Sequence, residues 1–113
     1  MKLKNYKSYK CKTEFGTYNL YPFRSKYFDN NSLAIILLDE DGEEFAVLTV
    51  NLEYSMATDK MAYVDTNNCP WAEKFIKENE LGMPTEAMGF SGFCSYPLYI
   101  FDTDKIPEYP DEN

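Results

Sequence analysis

The sequence predicts an α+β fold: a mainly antiparallel sheet of about five or six strands, with one helix over residues 70–81 packed on it. Three observations carry this. Two apolar runs, Leu33 to Leu38 and Phe45 to Leu52, flank an Asp41-Gly42 turn, and Asp-Gly between apolar runs is the strongest short-range hairpin signal. Trp71, Ala72, Phe75 and Ile76 form one helical stripe, with Glu73, Lys74, Lys77 and Glu78 opposite. The other apolar segments are short, alternate with period two and are separated by turn residues.

Taken in order, Lys2 to Phe15 alternates loosely and predicts a strand with one lysine-rich face, the usual guard of an exposed sheet edge. Gly16 breaks it. Thr17 to Phe23 predicts a second strand, with Pro22 placing its end at an edge. Asp29-Asn30-Asn31-Ser32 is a turn, and the Ile-rich Leu33 to Leu38 is a strand buried on both faces. Phe45 to Leu52 returns as its hairpin partner, and Met61 to Asp65 is a further strand. Asn68 or Cys69 caps the helix, and Pro70 suits its first turn because the missing N–H has no helical partner there. Leu81-Gly82 closes it, and Pro84 prevents continuation. Gly89 and Gly92 mark a bend, and Ser95 to Phe101 is the last strand. Residues 1–105 form a single domain, followed by a loose acidic tail over 106–113 with two prolines.

Composition excludes more than it assigns. The 113 residues contain no histidine, which removes Ser-His and Cys-His nucleophilic pairs, imidazole-based zinc sites and the usual neutral-pH general base. Cys11, Cys69 and Cys94 are odd in number and widely spaced, as reduced, half-buried thiols would be. The longest apolar run is six residues, where a bilayer takes about 20. No apolar stretch follows the N-terminal lysines, so no signal peptide is expected. The expectation is a soluble, cytoplasmic protein, without a membrane segment, cofactor or metal.

Charge is divided along the chain. Residues 1–26 hold seven bases and one acid, a balance of +6, and residues 27–113 a balance of −14, for a net −8. An acidic surface repels nucleic-acid phosphates and attracts proteins with basic sites, so direct nucleic-acid binding is not expected. Asp39, Asp41, Glu43 and Glu44 superficially resemble a calcium loop, but the glycine is misplaced and no helices flank it, so a solvated hairpin tip is the better reading. Gly89-Phe90-Ser91-Gly92 has Gly-x-x-Gly spacing, yet its nearest charges are Glu86 and Asp102, and Ser91 does not sit in a Gly-x-Ser-x-Gly elbow. Carboxylates could act as an acid–base pair in a deep pocket lined by two or more of them, but nothing in the sequence selects two. The ten tyrosines offer large, rigid contact area with a polar tip.

Three stretches together resemble a known family. They are Leu33-Ala34-Ile35 through the Asp-Gly turn to Leu48-Thr49-Val50-Asn51-Leu52; Ala62-Tyr63-Val64-Asp65-Thr66-Asn67-Asn68; and Gly89-Phe90-Ser91-Gly92-Phe93-Cys94-Ser95-Tyr96-Pro97-Leu98-Tyr99. The family is one of small, uncharacterised proteins, a domain of unknown function, and the resemblance covers roughly residues 16–102. It implies a gene carried on conjugative or phage-like elements of gut Firmicutes and Bacteroidota. It supplies no catalytic residue.

The expected function is a non-enzymatic interaction protein that inhibits a host nucleic-acid-directed defence enzyme, a restriction or CRISPR nuclease, by entering its basic groove. Asp39, Glu40, Asp41, Glu43 and Glu44 would supply charge, and Tyr54 and Tyr63 base-like planes. The alternative is an accessory module of conjugation or element maintenance, acting through Lys2, Lys4, Lys7, Lys10 and Lys12. The lysine-rich edge and acidic remainder could also pair head to tail between copies.

Overall fold

A computed structural model describes residues 2–53 and 55–110. The α+β class holds, but among the described residues the strands number eight, in two four-stranded antiparallel sheets, with one α-helix. The first sheet is a meander of β1 (Tyr9–Thr13), β2 (Gly16–Lys26), β3 (Leu33–Leu38) and β4 (Glu44–Val47). The second is built from β5 (Thr49–Val50), β6 (Met61–Val64), β7 (Gly82–Ser91) and β8 (Cys94–Phe101), in the order β5-β6-β8-β7. The helix α1 is Ala72–Glu78.

The predicted strand Phe45 to Leu52 is split, because it changes partner at Leu48. The Leu48 N–H donates to Ile35 O, continuing the ladder with β3, and Leu48 O accepts from Asp65 N, starting the pairing toward β6. One extended segment thus joins the two sheets. Their inner faces and α1 share a core in which Leu20, Ile35, Leu37, Leu48 and Val64 pack with Ala72, Phe75 and Ile76. β3 is buried on both faces, as its unbroken apolar run requires: Leu33, Ile35 and Leu37 face this core, and Leu38 packs outside it with Leu3 and Phe23.

Other elements differ from expectation for local reasons. The first strand is shorter, since Leu3–Asn5 forms a 3-10 turn that lays Leu3 on the outer face. β2 runs through Pro22. The Arg24 N–H points away from β3 to Pro107 O, and two-residue alternation aims the Pro22 nitrogen the same way, between β1 and the C-terminal segment, where no ladder bond is lost. The helix is shorter than 70–81. Trp71 stands at its N-cap without a side-chain cap, and Glu80, at φ 53°, turns the chain before Gly82 enters β7.

Residues 106–110 do not hang loose. Ile106 is buried, Arg24 Nε donates to its carbonyl at 2.8 Å, and Tyr109 N donates to Arg24 O at 2.8 Å. Residues 111–113 lie outside those described.

The core also hides two thiols. Burial pushes Cys11 from 9.0 up to about 11, with smaller contributions from Cys69 and Glu78, and burial with Asp65 does the same to Cys69. The Cys69 thiol donates to Val47 O at 3.8 Å, whereas Cys94 is partly exposed. A thiol reagent at pH 8 is therefore expected to modify one cysteine in the folded protein and all three after denaturation. Unfolded thiols deprotonate first, so the stability these two supply is complete below pH 9 and is lost as pH rises toward 11. Urea midpoints at pH 8 and pH 10.5 check this. Replacing Cys11 and Cys69 by Ala should remove that part of the fall.

Candidate functional site

The five hairpin acids lie together at the β3–β4 tip, but they do not share one role. Asp39 Oδ1 accepts from the N–H groups of Asp41 (2.9 Å) and Glu43 (3.0 Å), and Asp39 O accepts from Gly42 N at 3.0 Å. Gly42, at φ 82°, supplies the left-handed residue that this turn needs. Asp39 is thus a structural member of the tip. Glu40 Oε1 accepts from Asn19 Nδ2 at 2.8 Å, tying the tip to β2. The carboxylates of Asp41, Glu43 and Glu44 are exposed, and show no hydrogen bond or ion pair among the described residues. These three are the charges available to a partner.

Tyr63 does not join them. Tyr63 is only 2% exposed. It packs with Leu52, Tyr96 and Leu98 on the outer face of the second sheet, and its hydroxyl accepts from Met56 N at 3.1 Å. Its ring presents no plane to a partner. Beside Asp65 it reads as an exposed acid–aromatic pair, but Asp65 is itself buried, its carboxylate accepting from the backbone N–H of Asn68 (3.1 Å) and from Asn68 Nδ2 (2.9 Å). Tyr54 lies outside the described residues.

The N-terminal lysines are all exposed. Lys10 and Lys12 alternate on β1 with buried Cys11 and project from the outer face, and Lys7 Nζ lies 5.1 Å from the centre of the Tyr9 ring. They remain a second charged surface of opposite sign.

A third surface was missed from sequence. The β7–β8 hairpin, Gly82 to Phe101, carries one charged residue, Glu86, and exposes Met83, Met88, Phe90, Phe93 and Ile100. Large apolar side chains grouped on one hairpin mark a contact surface more often than a solvent face. The sequence signal available was the near absence of charge over these residues.

A hollow of about 940 Å³ beside α1 is lined by three acids, Glu73, Glu80 and Asp102, and by Met83, Pro84 and Ile100. All three carboxylates lie on exposed residues, and Glu73 Oε1 accepts from the Tyr99 hydroxyl at 2.7 Å. No two of the acids are hydrogen-bonded to each other among the described residues. The hollow therefore offers carboxylates in open water, not a shielded acid–base pair. No helix among the described residues is long and apolar enough to cross a membrane.

Residues 24–113 match the family described as Domain of unknown function (DUF4313). The match includes the acidic tip and the β7–β8 hairpin, and leaves out β1 and all of β2 before Arg24. No curated protein and no solved structure matches the chain.

Proposed function

The chain belongs to this family of unknown function, DUF4313, and from its surface we propose that it is a non-enzymatic interaction protein that docks its acidic hairpin tip on a basic surface of another protein. The observation that carries this is the tip itself: five carboxylates within residues 39–44 on a turn held by Asp39, with Asp41, Glu43 and Glu44 exposed. A cluster of like charge on a −8 protein steers toward a partner of opposite potential and speeds encounter. The exposed apolar side chains of β7–β8 support the same class of function.

At the finer level, the partner is a nuclease of host defence, of the restriction or CRISPR kind, and the protein serves a mobile element by occupying its nucleic-acid groove. Buried Tyr63 supplies no base-like plane to this mimicry, which rests on the charges of the tip. The second reading, an accessory module of conjugation, is favoured by the outward lysines of β1.

The test spares Asp39 and Glu40, which build the tip. A tagged Asp41→Lys, Glu43→Lys, Glu44→Lys triple variant is compared with the unaltered protein on a defence-bearing host lysate, with duplex DNA as eluting competitor. The proposal expects a nuclease that DNA displaces from the unaltered protein, bound at least tenfold more weakly by the variant, with the difference shrinking at high salt. Equal retention by both proteins overturns the acidic-tip reading. Loss of function only on deleting residues 2–12 moves the site to the lysines.

A further inference from the structure

The turn between β1 and β2 leaves Phe15 83% exposed, although that turn is locally built to hold it. The Phe15 N–H donates to Thr13 Oγ1 at 3.1 Å, the Thr13 hydroxyl donates to Gly16 O at 3.2 Å, and Gly16 takes φ 143°. A large aromatic side chain fixed in water loses apolar burial unless something covers it. Phe15 stands at the lip of a groove of about 630 Å³ that also involves Tyr18, Phe45 and Trp71. Those three rings run in sequence along the groove, Tyr18 to Phe45 at 4.9 Å between centres and Phe45 to Trp71 at 5.9 Å, mutually tilted by 52° and 60°.

We propose that this groove binds a mononucleotide, with the base stacked among Phe15, Tyr18, Phe45 and Trp71 and the phosphate at Lys74. The volume lies within the range of small-ligand pockets. Every base has a π-face, so an aromatic platform with a fixed outer ring suits a planar ligand of this class. Lys74, on α1, gives the groove a local cation on a protein of net charge −8. Lysine serves as a point charge for phosphate. Asn68 adds polar recognition. Its Nδ2 is engaged by Asp65 Oδ2 at 2.9 Å, which orients the amide, and its Oδ1 has no partner among the described residues to compete with a base amine.

The occupant is a free nucleotide and not a strand. A polymer leaving the groove would run its phosphates over the surface of a protein of net charge −8. Half of the groove, Lys12 to Tyr18, lies outside the family match, so the site is assembled by adding the N-terminal hairpin to family elements.

The chain has one tryptophan, Trp71, whose single indole N–H resonance reports on the groove directly. Titrating the ¹⁵N-labelled full chain with AMP and UMP is expected to move that resonance saturably. Adenosine should bind several-fold more weakly than AMP, and ribose 5-phosphate should leave the resonance in place. Phe15→Ala and Lys74→Glu should each weaken nucleotide binding about tenfold while the rest of the spectrum stays dispersed. Absence of a saturable shift with both nucleotides, or undiminished binding by Phe15→Ala, overturns the site. Tighter binding of a six-nucleotide single strand than of AMP overturns the assignment to a free nucleotide.

Discussion

Replacing Phe23 by alanine is expected to cost about 3–5 kcal/mol, the range for deleting a fully buried aromatic ring, and to lower the melting temperature by roughly 10–20 °C. Phe23 is completely buried, on the outer face of the first sheet and away from the main core. It lies there because the chain ends are folded over it. Leu3 and Tyr6 cover it from the N-terminal turn, with the Tyr6 ring edge-on at 4.9 Å, and Tyr109 closes the other side at 5.7 Å. One side chain therefore anchors both terminal segments. The variant should consequently be cut by trypsin at Lys4 and Lys7 and at Lys105 under conditions where the unaltered protein resists. Phe28→Ala is the matched control, since Phe28 is fully exposed and its loss should leave the melting temperature unchanged. A Phe23→Ala protein that melts within a few degrees of the original and keeps its termini protected would show that Phe23 is not their anchor, the C-terminal segment being held by its backbone bonds to Arg24.

The parts of this fold that are legible in sequence are those where pattern and turn chemistry agree. β3 is predicted residue for residue because a buried central strand needs an unbroken apolar run, and the Asp-Gly turn fixes where it reverses. β7 is not legible. Gly82, Pro84 and Gly89 read as breakers, a register shift between Pro84 and Met88 interrupts its alternation, and its exposed apolar side chains erase the contrast between faces. Tyr63 was misread for a different reason. Alternation places it opposite Ala62 and Val64, on what would be the solvent face of a two-layer protein, but Leu52 covers that face and gives it a small core of its own. Sequence marks the period of a strand, not whether a later loop folds back over its second side. The acidic tip needed no such long-range information, since its exposure follows from a short polar turn between two strands.

The covered face makes the second large prediction. Gly89→Ala, usually a mild change, is expected to cost about 1–3 kcal/mol through overpacking. A Cβ at Gly89 would stand 2.3 Å from Leu52 Cδ1 and 2.6 Å from Tyr63 Cε1. The leucine tip can turn away, but the tyrosine has little freedom. Its ring is buried, and its hydroxyl accepts the Met56 N–H, so moving it also disturbs the loop that covers the face. Backbone conformation is not the cause, because Gly89 is not among the glycines with positive φ. The penalty should therefore depend on Leu52. Leu52→Ala alone opens a cavity and costs about 2–5 kcal/mol. In the double variant the new methyl partly fills that space, so the two losses should fall short of their sum by roughly 1 kcal/mol in urea unfolding. Additive losses would mean that Tyr63, and not Leu52, sets the limit. In that case Gly89→Ala with Tyr63→Leu is the pair that should show the coupling.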